Sequence, residues 1–266
     1  GGDIYRHPDV IDFSVNTNPL GTPESVKRAV QESVAKIEHY PDVRCEALRK
    51  AISRFEQVNM EEILCGNGAA ELFFAAVQAV WPQKALVIAP SFSEYEEALR
   101  SVGAEAEYYY LCEEDNFQIR EDYVDKLSEE IDMIFLCNPN NPTGQTIDRD
   151  MLIKILDRCK KQNIVVILDE CFLEFLDEPN RYEMSNLRGE YPNLLIIKAF
   201  TKIFSMPGLR LGYAISSNQD ILEEMSWKLQ QWNVSVPAQM AGVAALENPK
   251  EYIRQVIEFL LVQSYI

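Results

Sequence analysis

The strongest constraint on this chain is an alternation of short apolar runs with amphipathic stretches between residues 84 and 168. Residues Lys84–Ala89, 106–111, 132–137 and 164–168 are rich in Val, Ile, Leu and aromatic side chains and too short for helices. Between them, residues 91–102, 120–130 and 148–162 read as helices, and two further apolar runs, 194–197 and 211–215, flank a polar loop. This rhythm predicts an α/β fold around a largely parallel sheet covered on both faces. Such sheets gather their sites at the carboxyl ends of the strands. Phe92, Asn141, Asp169 and Lys202 each close or follow one of these runs, so they are expected to share one pocket.

The flanks read more simply. Residues 3–21 carry Pro and Gly punctuation and no helical period. Thr22 is expected to cap a helix running to residue 38 with Pro23 at its first position. Residues 44–57 form an amphipathic pattern through Leu48, Ala51, Ile52 and Phe55, and helices are expected at 236–246 and 249–261. The turn Gly66-Asn67-Gly68-Ala69-Ala70-Glu71 opens a helix whose buried side is Leu72, Phe73, Ala76, Val77 and Val80. Backbone N–H groups at such a helix start can hold a phosphate, and the same turn serves equally well as a plain cap. Its GxGxxE spacing does not satisfy a dinucleotide fingerprint.

Charge and cysteine usage narrow the function. With 25 basic and 42 acidic residues among 266, the net charge of −17 repels nucleic acid and anionic membrane. An anionic small substrate then needs a local basic pocket. The six cysteines show no CxxC or CxxH spacing and read as reduced core thiols of a cytoplasmic protein, and two histidines make a histidine-based metal site a poor expectation. No stretch reads as a membrane span or signal peptide, and the Gly1-Gly2 start without methionine reads as an N-terminus trimmed, disordered or omitted.

The polar loop carries Lys202, with Arg210 eight residues on. A desolvated lysine beside another cation loses its proton, and the neutral amine can condense with a carbonyl to a Schiff base. Arginine offers a planar fork for phosphate. Taken alone, the two are ordinary solvated charges. The run Thr201-Lys202-Ile203-Phe204-Ser205-Met206-Pro207-Gly208-Leu209-Arg210-Leu211-Gly212, however, resembles the [ST]-K-x-x-x-x-x-G-x-R-x-G signature of the class I/II aminotransferases, pyridoxal-phosphate enzymes of fold type I. Asn138-Pro139-Asn140-Asn141-Pro142-Thr143-Gly144 and Leu168-Asp169-Glu170-Cys171-Phe172 stand upstream in the family's order, and the likeness covers about residues 12–245.

The resemblance implies an aspartate-aminotransferase-like fold, a pyridoxal 5'-phosphate cofactor and a homodimer. It implies an N-terminal arm and first helix over 1–43, a cofactor-binding domain over 44–233, and the start of a small domain over 234–266. Lys202 matches the lysine that binds the cofactor, Asp169 the partner of its ring nitrogen, Asn141 a ligand of its phenolic oxygen and Phe92 the aromatic on its ring face. Gly68, Ala69, Ala70, Thr201 and Arg210 match the phosphate site, joined by Tyr40 from the partner subunit. Asn18, Leu20 and Gly21 are expected to line the substrate mouth with Asn141.

Within the family, Asp12-Phe13-Ser14-Val15-Asn16-Thr17-Asn18-Pro19-Leu20-Gly21 is similar to the opening of histidinol-phosphate aminotransferases. It is closer to that of the threonine-phosphate decarboxylases of cobalamin biosynthesis, in which a HGG precedes it; Gly1-Gly2 matches its end. Phe172 stands where the aminotransferases carry a tyrosine, and matches the decarboxylase branch. Ala199 replaces a phosphate-binding hydroxyl, and the chain stops before the family's substrate-carboxylate arginine. The resemblance thus implies an aminotransferase of the histidinol-phosphate type acting on a small, phosphorylated amino acid or amino alcohol, with the decarboxylase as the alternative. A sensor domain or non-catalytic relative is a distant third. A regulator would need a basic DNA-binding module, and a dehydrogenase would leave Lys202 without a task.

Overall fold

Seven strands form one sheet in the computed structural model, which describes residues 4–12 and 14–264. The Gly1-Gly2 pair and Phe13 of the N-terminal motif lie outside the described residues. The strands are β1 (Ile63–Gly66), β2 (Lys84–Ala89), β3 (Glu105–Tyr110), β4 (Met133–Cys137), β5 (Val165–Asp169), β6 (Leu194–Ala199) and β7 (Gly212–Ile215), in the order β1-β7-β6-β5-β4-β2-β3. The pairings β3-β2-β4-β5-β6 are parallel, whereas β7 runs antiparallel to both β6 and β1.

This arrangement decides where the site forms. Two antiparallel steps return β1 to the sense of β6, so the carboxyl ends of β1, β2, β4, β5 and β6 lie on one edge of the sheet. Because β7 is reversed, the residues just before it share that edge too. The loop joining β6 to β7 carries Lys202 at its start and Arg210 at its end.

Nine helices surround the sheet among the described residues: α1 (Glu24–Ser33), α2 (Glu46–Glu56), α3 (Ala69–Val80), α4 (Glu94–Val102), α5 (Asp122–Asp125), α6 (Arg149–Gln162), α7 (Gln219–Lys228), α8 (Val236–Ala245) and α9 (Pro249–Ser264). The pleat sends alternate strand residues into two cores. Phe135, Ile167, Leu195, Ile197 and Ala214 pack with Leu72 and Phe73 of α3, Tyr95 of α4 and Met225 of α7. Ile134, Leu136, Val166, Leu168 and Ile196 pack on the other face with Ile52 of α2, Leu152 of α6 and Ala241 of α8. β4, β6 and β7 are buried along their whole length, which is why they read as continuous apolar runs. Among the described residues, no helix is long and apolar enough to cross a membrane.

Three expectations are corrected. The helix expected over 120–130 is a single turn, α5. After Asp125 the backbone proceeds by tighter turns, with the Lys126 N–H on the Tyr123 carbonyl and the Leu127 N–H on the Val124 carbonyl, and Arg158 Nε of α6 donates to the Leu127 carbonyl at 2.8 Å. Thr22 does not cap α1: Pro23 precedes the helix, and the Thr22 hydroxyl donates to the Ser205 carbonyl at 2.5 Å. α1 ends at Ser33, followed by one 3-10 turn over Val34–Lys36. α7 was not expected at all. Its signal was Asn218, whose Oδ1 accepts from the N–H groups of Asp220 and Ile221, ahead of the buried Leu222 and Met225.

Candidate active site

Asp169 closes β5 and is buried, which pushes its carboxyl above the ordinary value. Four features oppose that burial: the Cys171 side chain, the Tyr95 hydroxyl on Oδ2 at 2.5 Å, the Cys171 N–H on Oδ1 at 2.9 Å, and the charge of Lys202. Tyr95 comes from α4 and is fixed by aromatic packing, stacked on Phe135 at 4.8 Å and edge-on to Phe73 at 5.0 Å. Sequence reasoning missed Tyr95. Its only signal was a tyrosine on the apolar side of a helix starting beside Phe92.

Lys202 follows β6. Burial, with a smaller contribution from Arg210, draws its amine below the ordinary lysine value, while Cys171 and Asp169 act in the opposite sense. Its Nζ lies 5.4 Å from the centre of the Phe172 ring and forms no hydrogen bond or ion pair among the described residues. Two backbone N–H groups, from Asn18 at 3.1 Å and Ser205 at 3.2 Å, hold the Lys202 carbonyl.

The other cation of the loop lies at the start of α3. Gly68 adopts φ +85°, and a Cβ built there would stand 2.6 Å from Arg210 Nη2, so only glycine lets the guanidinium lie against this turn. Gly212 is pressed just as closely: a Cβ there would meet the Ala69 nitrogen at 2.6 Å. The first N–H groups of α3 have no partner within the helix, and Arg210 pairs with no carboxylate among the described residues. In a chain of net charge −17, this is a local anion cradle.

Ala69, Ala70, Phe92, Asn141, Asp169, Phe172, Thr201, Lys202 and Arg210 line one cleft, with Phe73, Cys171 and Ala199. Gly68 borders it through Arg210. Tyr40 does not enter it: its exposed ring lies 4.6 Å from that of Trp232. Asn18 is buried and its amide serves the fold, donating to the Ile203 carbonyl at 2.8 Å and the Tyr252 hydroxyl at 2.6 Å and accepting from the Leu20 N–H at 2.8 Å. The Tyr252 hydroxyl in turn donates to the Gly21 carbonyl. These contacts tie the arm to the Lys202 loop and α9, while Leu20 is exposed. The arm residue that faces the mouth beside Asn141 and Phe172 is Asn16, which sequence reasoning passed over. Among the described residues no group of three or more His, Cys, Asp or Glu could hold a metal ion.

A helix start and an unpaired arginine at one end, a buried carboxylate at the other, an aromatic wall and a free amine define the site of a fold type I pyridoxal-phosphate enzyme. The chain belongs to the class I and II aminotransferases, whose family model matches residues 8–260. It is 38 % identical over 242 residues to threonine-phosphate decarboxylase of Salmonella typhimurium, covering 91 % of this chain and 66 % of that one. It is 31 % identical over 252 residues to histidinol-phosphate aminotransferase of Methanosphaera stadtmanae, covering 94 % of this chain and 66 % of the relative. The chain thus spans about two thirds of the length of these curated relatives. The crystal structure of histidinol-phosphate aminotransferase from Clostridium acetobutylicum superposes with a TM-score of 0.85 at 33 % identity, over 93 % of this chain and 72 % of that one.

Pyridoxal phosphate is the cofactor of this family, and the residues present fit it. The unpaired Arg210 and the helix start suit a dianionic phosphate, the free amine of Lys202 suits the cofactor's aldehyde, and Asp169 suits a protonated ring nitrogen.

Proposed function

We propose that this chain is the cofactor-binding part of an enzyme that decarboxylates a small phosphorylated amino acid of the O-phosphothreonine type. The observation that carries this reading is Phe172, whose ring, without a hydroxyl, lies beside the Lys202 amine. The 38 % identity to a threonine-phosphate decarboxylase supports it. The likeness to histidinol-phosphate aminotransferases supports a second reading, amino-group transfer on a substrate of that type.

The geometry supports one set of roles. Arg210, Thr201 and the N–H groups at Ala69 and Ala70 would hold the cofactor phosphate, Phe92 and Asn141 would orient the ring, and Asp169 would hold the proton on the ring nitrogen. When bound, the cofactor supplies the electron sink for the pair released as a bond to the substrate α-carbon breaks. Lys202, with its lowered amine pKa, is suited to take or return a proton at that carbon. The exposed Tyr40 and Trp232 belong to a homodimer interface in this reading, with Tyr40 reaching the partner's phosphate site. The terminal segments 1–43 and 234–266 belong to a small domain, and six free thiols support a cytoplasmic location.

The test is a half-reaction on the full-length protein loaded with pyridoxal phosphate. L-threonine O-phosphate is added without a keto acid, and visible absorption and released carbon dioxide are followed together. Continuing gas release with a persisting visible band supports decarboxylation. Loss of the band without gas replaces it by transamination. If no band forms on loading, and Lys202→Ala behaves as the unchanged protein does, the cofactor site itself is misplaced.

A further inference from the structure

Once β6 ends at Ala199, the segment carrying Lys202 leaves the sheet, and its backbone carbonyls need other partners. The N-terminal arm supplies three of them. The Asn18 N–H donates to the Lys202 carbonyl at 3.1 Å, the Asn18 side-chain amide to the Ile203 carbonyl at 2.8 Å, and the Thr22 hydroxyl to the Ser205 carbonyl at 2.5 Å. Ser205 has φ +45°, a left-handed backbone that a residue other than glycine keeps only where its surroundings fix it.

The arm is itself anchored on α9. The Tyr252 hydroxyl accepts from the Asn18 side-chain amide at 2.6 Å and donates to the Gly21 carbonyl, so one oxygen closes the turn of the arm. The Tyr252 ring stacks on Phe204 of the lysine loop, with centres 6.0 Å and planes 18° apart. Tyr252 thus meets the arm through its oxygen and the loop through its face. Asn18 is buried, so water does not make good a bond lost here.

We propose that Asn18, Thr22 and Tyr252 are positioning residues for Lys202, and that the seating of α9 thereby sets where the reacting amine stands. This rests on the reading of Lys202 as the amine that binds the cofactor. Among the described residues the amine has no hydrogen bond or ion pair of its own, so its place is inherited from the backbone it hangs from. Holding the carbonyls of residues 202, 203 and 205 fixes the root of that side chain. None of the three positioning residues lines the cofactor cleft, and each acts through the loop. Proton transfer at a substrate carbon is sensitive to a misplacement of about 1 Å, so slack in this tie reaches the chemistry without touching the binding groups.

The test uses the full-length protein loaded with pyridoxal phosphate. Tyr252→Phe keeps the ring on Phe204 and removes the hydroxyl, and Thr22→Val removes the donor to Ser205 without altering α9. Val256→Ala is the control, a cavity at a buried position of α9 outside the tie. Visible absorption counts the cofactor held on the lysine, and visible circular dichroism reports the pose in which it is held. Tyr252→Phe and Thr22→Val are expected to keep the absorption and lose dichroism. With L-threonine O-phosphate, Tyr252→Phe is expected to lower kcat by about tenfold or more while KM changes by less than about twofold. Val256→Ala is expected to lower the melting temperature and keep both dichroism and kcat. The proposal is overturned if a folded tie variant keeps the dichroism of the unchanged protein. It is equally overturned if Val256→Ala loses dichroism as the tie variants do, since the tie then acts through stability alone. Dichroism needs no substrate, so it decides the matter even if L-threonine O-phosphate is not turned over. If the unchanged protein forms no visible band, the reading of Lys202 falls and the proposal with it. Should Tyr252→Phe fold poorly, Thr22→Val decides alone.

Discussion

Asp169 owes part of its setting to one hydroxyl. Tyr95 donates to it from a helix that contributes no charge to the site, and the bond favours the ionised carboxylate against burial. Tyr95→Phe is expected to cost about 1–3 kcal/mol, the usual cost of a buried acceptor left without its donor. It is also expected to weaken cofactor retention, because the Asp169 carboxyl moves further up. Urea melts and cofactor titration on one variant check both effects, and unchanged retention would assign Tyr95 to packing alone. Lys202 shows the opposite trade. Its lowered amine pKa means that burial works against the ammonium form, so this residue serves chemistry at a cost to the fold. Lys202→Met is expected to raise the melting temperature of the cofactor-free protein at neutral pH while abolishing its visible band; a lower melting temperature would contradict this reading. Gly68→Ala is expected to weaken cofactor retention by about tenfold or more, since the Cβ displaces Arg210 and strains a left-handed backbone, and equilibrium dialysis measures it.

Strands β5, β6 and β7 carry the site on one edge and a buried charge cluster beneath it. Lys198 of β6 lies 3.0 Å from Glu56 and 2.8 Å from Glu174, and 4.0 Å from Glu170 Oε2, which has no hydrogen-bond partner. The Tyr213 hydroxyl of β7 completes the cluster on Glu56. One lysine among three carboxylates leaves negative charge uncompensated, and burial pushes Glu170 up to about 8. The sign follows. Glu170 stays protonated in the folded protein at pH values where the unfolded chain has lost that proton, so stability falls as pH rises from about 4.5 to about 8 and levels off above. Glu170→Gln is expected to remove that slope and to be the more stable protein at pH 8.5 by at least about 1 kcal/mol. Urea midpoints at pH 5 and 8.5 decide it, and parallel profiles for the two proteins would assign the slope to other groups. Lys198→Met is expected to cost about 3–5 kcal/mol, because it strands buried carboxylates.

At the scale of the molecule, the cradle works against the field around it. A chain of net charge −17 repels a dianionic ligand at long range, while Arg210 and the α3 start attract it only at contact. The rate of pyridoxal phosphate association is therefore expected to rise with added salt, the reverse of a steered anion site. Stopped-flow loading between about 10 and 300 mM salt tests this, since the Debye length falls from about 30 Å to well under 10 Å over that range. A rate that falls with salt would show that the local cations outweigh the global charge at encounter distance.

The sequence by itself determined the period of most elements and which residues gather in one cleft at the strand ends. Apolar runs of five or six residues allow strands and little else, and Lys202, Asp169, Asn141 and Arg210 were legible because each sits at a strand boundary in a recognisable spacing. Tertiary structure alone decided the rest. The reversal of β7 brings Arg210 onto the same edge as Gly68, a relation between residues 142 positions apart that no local pattern encodes. The Tyr95 bond to Asp169 and the capture of the Leu127 carbonyl by Arg158 likewise depend on which helix packs where. Asn18, expected at the substrate mouth from the family likeness of its motif, is also an internal tie because the Lys202 loop and α9 close around it. Periodicity is a property of neighbours along the chain, whereas the partners of a buried polar group are set by packing between distant elements.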